Sequence, residues 1–465
     1  MKISWWLIAA LVVMLSYTCR LSALTKGFYL HDGDRVLFYG DSITEQRYYP
    51  IAVQTYVRTR FPNLKVSFVD SAVGGATVEG NWSVLTEEQS LERDVYPFHP
   101  SIVTIMLGMN DAKYQPFEQS TFEAYVRGYT YIVNQLQQHL PGVKIVLIEP
   151  SPWDDVTQKP SYYNNPYHLP GGYNDTLKRY CAFVRHLGAE YHLMVIDFNT
   201  PMVNLLRQSM HSNPSIAAKI IPGRIHPSPS GQLAMAQLLL EAWNAPSIVT
   251  FVGINAQHEK IDRCINSSVT NLYSSEKNIS WKQTDTALPY PIMTLHSTEW
   301  PQFPPDPLGD FIPTIYWSLP PLKGEEINPV AEMIVNKMHM YEKLDREILM
   351  VKGLLSDSYT LKIDNRTIGT FTRQELSQGI NLAQYQTPMM DQADNLITEI
   401  WHQEDLRFEA WRGVQVSLRD DTDTAVQASI EHLINLLYKQ CFDMDAKEYA
   451  VAQPTTHQYE LIAMQ

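Results

Sequence analysis

A chain of 465 residues is long enough for a full-sized domain with its own core and a second body of about a hundred residues or more. Lys and Arg number 36 against 50 Asp and Glu, a net charge of −14 with no basic run, and this excludes nucleic acid as an expected partner.

The first residues, "MKISWWLIAALVVMLSYTCRLSA", give one Lys, an apolar run from Trp5 to Leu15, and small or polar residues ending at Ala23. That is the layout of a secretory signal over residues 1–23, so export to the periplasm or beyond is expected. The apolar run, about eleven residues, is short of the roughly twenty needed to span a bilayer, and no stable membrane insertion is expected after cleavage. An uncleaved anchor is the alternative, because Leu21 is bulky for the third position before the cut. A lipoprotein at Cys19 fits poorly with Ser16-Tyr17-Thr18 in front of it. After cleavage Cys181, Cys264 and Cys441 remain, an odd set far apart in sequence. One disulfide stays open as an option, whereas a disulfide scaffold or a Cys-based metal site does not.

Over residues 28–247, apolar runs alternate with helix-like segments. "RVLFYG", "KVSFVD", "SIVTIML", "VKIVLIE" and "HLMVIDF" read as strands, and their continuity is that of strands covered on both faces. Helical spacing near 48–60, 118–139, 173–188 and 230–243 completes a doubly wound parallel α/β sheet, whose site belongs at the carboxyl ends of the strands. Residues 248–321 read as a β-rich connecting segment and a Pro-rich linker, Pro301 to Pro321. Residues 322–465 read as a smaller α+β body: a helix from "INPVAEMIVNKMHMYEKL", a hairpin turning at Asp364-Asn365, and two long helices near 388–412 and 423–440. On the first of these, Trp401, Phe408 and Trp411 fall at core spacing, while His402, Glu404 and Asp405 have no metal-ligand spacing.

Four strand or loop ends carry polar groups suited to chemistry. Ser42 follows Gly40-Asp41 at the end of the first strand, where a sharp turn presents a hydroxyl; a helix cap would use the same residue type. The second strand ends in Ser71-Ala72-Val73-Gly74-Gly75, the third in Gly108-Met109-Asn110-Asp111, and His226 stands between prolines in "IHPSPSG". A glycine lets a main-chain amide approach a substrate, and an Asn amide can face a developing oxyanion.

Taken together and in this order, these motifs resemble those of the SGNH hydrolases, the GDSL family of esterases and lipases, over about residues 32–245. The resemblance implies a flavodoxin-like sheet with Ser42 as nucleophile and His226 as general base. It also implies an oxyanion hole made of the Ser42 amide, the Gly75 amide and the Asn110 side chain, with no cofactor and no metal. The implied activity is hydrolysis of acyl esters, acetyl esters on carbohydrate foremost, with a small-molecule or glycan substrate. Lipid esters or thioesters, and a binding protein on a decayed hydrolase fold, are the alternatives. The family's Asp three residues before the His is here Gly223. Three readings stay open: a dyad held by a main-chain carbonyl, a substitute acid among Asp154, Asp155 and Asp197, or a weakened enzyme. The loop after the fourth strand brings Trp153, Tyr162 and Tyr163, candidates for a sugar-stacking surface or for a packed lid. Neither oligomeric state nor the role of the C-terminal region is legible.

Overall fold

The structure, a computed structural model, describes residues 27–80, 86–157, 172–292, 328–418 and 423–464. The signal-like residues 1–23, Tyr162, Tyr163 and the Pro-rich stretch 301–321 lie outside the described residues.

Five short strands form one sheet: β1 (Arg35–Gly40), β2 (Ser67–Asp70), β3 (Ile102–Met106), β4 (Lys144–Ile148) and β5 (Met194–Ile196). Their order is β2-β1-β3-β4-β5 with every pairing parallel, the flavodoxin-like arrangement. All five residues of β3 are buried whichever face they point to, so the continuous apolar runs reflect helices packed on both sides. The crossover helices include Tyr48–Arg60, Gln119–His139, Tyr173–Tyr191 and Pro229–Ala242. The chain order reverses between β1 and β3, which opens a crevice at the carboxyl ends of those two strands.

Beyond residue 247 the partition in space differs from the one expected along the sequence. Strands β6 (Ile248–Asn255), β7 (Lys260–Ile265), β8 (Ser267–Ser274) and β9 (Asn278–Asp285) are not a separate connecting segment. They share two sheets with β10 (Arg346–Lys352), β11 (Ser358–Ile363), β12 (Arg366–Thr372), β13 (Ile380–Asn381) and β14 (Thr456–Ala463). One sheet runs β13-β10-β6-β7 and the other β12-β11-β14-β9-β8. Together they enclose their own core around Trp281, Leu361 and Tyr459. The hairpin β11–β12 turns at Asp364-Asn365, both in the left-handed region, as two-residue turns of this kind require.

The C-terminal helices go elsewhere. Leu396, Ile400, Trp401 and Trp411, on the helix Pro388–Phe408 and the π-helical stretch Glu409–Val416, are buried in the core of the first sheet. Buried charges line this seam. Arg58 bonds to Glu448 and to Asp445, each at 2.9 Å, and Arg47 pairs with Asp405 at 3.0 Å while its guanidinium lies 4.4 Å from the Phe408 ring centroid. Glu404 pairs with Arg407, whose Nη1 also donates to the Phe68 carbonyl on β2. Glu404 and Asp405 are thus accounted for by arginines. Cys181, Cys264 and Cys441 are all buried, and among the described residues no group of His, Cys, Asp and Glu is placed to hold a metal.

Candidate active site

At the end of β1 the backbone turns sharply into the one-turn helix Ser42–Glu45. Gly40 permits this, since a Cβ there would come within 2.4 Å of Thr44 Oγ1 and 3.0 Å of the Met106 carbonyl. Asp41 caps the turn by accepting from the Ile43 amide at 2.9 Å, and burial pushes its carboxyl up to about 7. Ser42 is left half-buried at the crevice.

His226 Nε2 lies 2.8 Å from Ser42 Oγ, a hydrogen-bond distance between residues far apart in the chain. The loop that carries the imidazole is held on both sides. Ser228 caps the helix Pro229–Ala242 through the Gly231 amide and donates its own amide to the Ile220 carbonyl, while the Arg224 carbonyl accepts from the Asp154 amide at 2.9 Å. Enclosure by protein lowers the His226 pKa from 6.5 to about 4, because burial disfavours the imidazolium.

The loop after β2 closes as a turn, Ala76 amide to Val73 carbonyl at 3.0 Å, with Gly75 in the left-handed region at φ 70°. A Cβ on the preceding Gly74 would lie 3.7 Å from Ser42 Cβ, so this loop runs directly beside the serine. The loop after β3 is tied to it: Asn110 Nδ2 donates to the Ala76 carbonyl at 3.1 Å, and Asp111 Oδ1 accepts from the Val78 amide at 2.8 Å. Tyr114 donates to Asn110 Oδ1 at 2.7 Å, and Tyr173 donates to the Met109 carbonyl at 2.7 Å. One Asn110 amide hydrogen goes to Ala76, which leaves the second for a ligand. Neither the Ser42 nor the Gly75 amide donates to a group among the described residues.

The three substitute acids make other bonds. Asp154 Oδ1 accepts from the Val156 and Thr157 amides, both at 2.8 Å, and its Oδ2 from the Thr157 hydroxyl. Asp155 accepts from the Asn174 amide at 3.0 Å and pairs with Arg224 at 3.5 Å. Asp197 accepts from the Thr200 amide at 2.8 Å at the start of the helix Asn199–Ser212. Short side chains of this type commonly bond to backbone amides one to three residues on, and two of the three do so here. Trp153 sits among Tyr114, Tyr173 and Arg224, with ring centroids 5.7 and 5.3 Å away and the guanidinium at 5.8 Å.

Sequence reasoning passed over Tyr114 and Glu45. Glu45 is buried, accepts from the Gly74 amide at 2.8 Å through Oε2, and lies 2.9 Å from Arg412 Nε through Oε1. Glu45 stands among other polar residues, Asp41, Thr44, Gln46 and Arg47, and the sequence does not single it out. Nothing in the sequence points to Arg412, which arrives from the C-terminal region.

Residues 38–234 match the family model of the GDSL-like lipase/acylhydrolases. Among solved structures, a gut microbial diltiazem-metabolizing enzyme is 22% identical with a TM-score of 0.73, and the match covers 94% of this chain and 98% of that one. An acetyl xylan esterase is 17% identical, covering 45% of this chain and 98% of its own, with a TM-score of 0.36. A carbohydrate acetylesterase from Sinorhizobium meliloti is 18% identical, covering 37% and 85%, with a TM-score of 0.28. Curated proteins give no match. The first of these structures shares the fold across both bodies, C-terminal region included. With the doubly wound sheet and the motifs after β1, β2 and β3 all falling inside the matched span, residues 38–234 constitute a hydrolase domain of the GDSL-like lipase/acylhydrolase family.

Proposed function

We propose that the protein is an exported serine esterase that removes short acyl groups, acetyl foremost, from carbohydrate. The observation that carries the reading is the 2.8 Å contact between His226 Nε2 and Ser42 Oγ at the crevice where the strand order reverses. In this mechanism His226 takes the Ser42 proton as the oxygen attacks the ester carbonyl, and then protonates the departing alcohol. The tetrahedral oxyanion is held by the Ser42 and Gly75 amides and by the Asn110 side-chain amide, whose remaining hydrogen is available. Water then enters and gives a proton to His226 as its oxygen attacks the acyl carbon, and His226 passes that proton to the departing Ser42 Oγ, which frees the acid and restores the serine. The half-buried indole of Trp153 beside Tyr114 supports a sugar-facing wall at this edge.

The test is hydrolysis of nitrophenyl esters of increasing acyl length and of acetylated glycans, by wild type and Ser42→Ala. The expected result is turnover greatest on acetyl and absent in Ser42→Ala, with loss of labelling by a fluorophosphonate. Unchanged turnover in Ser42→Ala removes the nucleophile assignment, and a preference for long acyl chains replaces carbohydrate with lipid as substrate.

A further inference from the structure

Glu45 stands three residues past Ser42 on the same helical turn, and its side chain is fully enclosed. Its two oxygens face in two directions. Oε2 accepts from the Gly74 amide at 2.8 Å, which fixes the Val73–Gly74 peptide, one residue ahead of Gly75. On the other side of Gly75, the Ala76 amide is bonded to Val73 and the Ala76 carbonyl to Asn110. Gly75, in the left-handed region, is thereby held from both ends, and glycine has no Cβ to restrict it if either hold is released.

Oε1 of Glu45 faces Arg412 Nε at 2.9 Å, a contact at ion-pair distance without the alignment of a hydrogen bond. What Arg412 supplies is therefore charge more than a directed bond. Arg412 sits on the π-helical stretch Glu409–Val416, a rare winding that recurs at functional sites and is anchored here by the buried Trp411. Burial pushes the Glu45 carboxyl up to about 7, and Arg412 is the foremost group acting in the opposite direction. A buried carboxylate without a counter-charge is costly, so the Arg412 cation favours the ionised form of Glu45 and holds Oε1 on its own side, which leaves Oε2 turned to the Gly74 amide.

We propose that Arg412 is a positioning residue for the hydrolase: through Glu45, the C-terminal body holds the Gly74–Gly75 loop against Ser42 and completes the oxyanion side of the site. The inference rests on the reading of Ser42 as nucleophile. It gives the C-terminal region a function in the reaction without placing any of its residues on the substrate.

The experiment uses the full chain and steady-state hydrolysis of nitrophenyl acetate by Arg412→Met, Arg412→Lys, Glu45→Gln and the double variant Glu45→Gln/Arg412→Met. Arg412→Met is expected to lower kcat about tenfold with KM changed less than about twofold, because transition-state contacts are lost and ground-state binding is kept. Arg412→Lys restores most of that loss, since a point charge suffices. In the Glu45→Gln background the Met substitution adds less than about a twofold further loss, because the two residues act as one unit. The proposal is overturned if Arg412→Met keeps wild-type kcat, if Lys is as poor as Met, or if Met costs as much with Gln at position 45 as with Glu. Activity persisting in Ser42→Ala overturns the site itself. A dead Ser42→Ala beside a fully active Arg412→Met overturns this inference alone.

Discussion

His226 is a base of weak proton affinity, and the cause is its enclosure, which lowers its pKa from 6.5 to about 4. The sign of the pH effect follows directly. Only the neutral ring can accept the Ser42 proton, so a depressed pKa keeps the base competent in acid that would silence an ordinary histidine. The profile of kcat/KM against pH is expected to stay level from about pH 7 to about pH 5 and to fall through a limb near pH 4. A limb at 6.5 or above would show that the working imidazolium is stabilised by an anion, as in a full triad. Asn110 shows a second residue-scale device. The Ala76 carbonyl decides which end of the amide faces it, since only Nδ2 can donate, and the Tyr114 hydroxyl then finds Oδ1. Together they determine which way the amide points before any substrate arrives.

The elements meet under tight tolerances. The helix Gln119–His139 crosses the loop after β2 at Gly128, where a Cβ would come 2.6 Å from Val78 Cγ2 and 2.9 Å from the Val78 carbonyl. Replacing glycine by alanine inside a helix ordinarily gains about 1 kcal/mol, while overpacking costs about 1–3 kcal/mol. Contact with a backbone carbonyl puts this position toward the upper part of the second range. Gly128→Ala is therefore expected to lower the melting temperature despite the better helix former, and to lower turnover as well, because Val78 belongs to the loop that carries Gly75 and is bonded to Asp111. Thermal melts and esterase rates check this. A raised melting temperature would show that the loop gives way without cost.

On the scale of the whole molecule, the seam between the first sheet's helices and the C-terminal helices is held by buried ions. Arg58 is fully buried and reaches Glu448, Asp445 and the Val66 carbonyl. Breaking such a pair leaves an uncompensated buried carboxylate, an effect of about 3–5 kcal/mol, whereas removing both partners for apolar groups is often nearly neutral. Arg58→Met is expected to destabilise by about 3 kcal/mol or more, read as a lower urea midpoint, and Arg58→Met/Glu448→Met to recover part of it. A single variant within about 1 kcal/mol of wild type would show that Glu448 simply takes up a proton, consistent with burial having pushed its carboxyl up to about 7. The same seam brings Arg412 to Glu45, so the stability and the chemistry of the molecule meet in one interface.

Local rules in the sequence determined the five parallel strands, the crossover helices and the candidates Ser42, Gly75, Asn110 and His226. Continuous apolar runs, helical spacing and glycines at strand ends act within a few residues, and they survive whatever packs around them. Gly40 before Ser42 and the Asp364-Asn365 hairpin are of this kind. What tertiary structure decided is of another kind. Strands before and after the Pro-rich stretch share two sheets, because parallel and long-range antiparallel pairing depends on register between distant segments. The helix Pro388–Phe408 begins in the second core, at Met389 and Ala393, and runs on into the first, at Leu396, Ile400 and Trp401, a bridge that depends on how distant segments pack. Asp154 and Asp155, adjacent in sequence and both near the histidine loop, are engaged by nearby amides and Arg224, choices set by backbone turns that composition does not reveal. Arg412 was invisible for the same reason: a charge far along the chain becomes part of the site only when a π-helical turn of the C-terminal body carries it to Glu45.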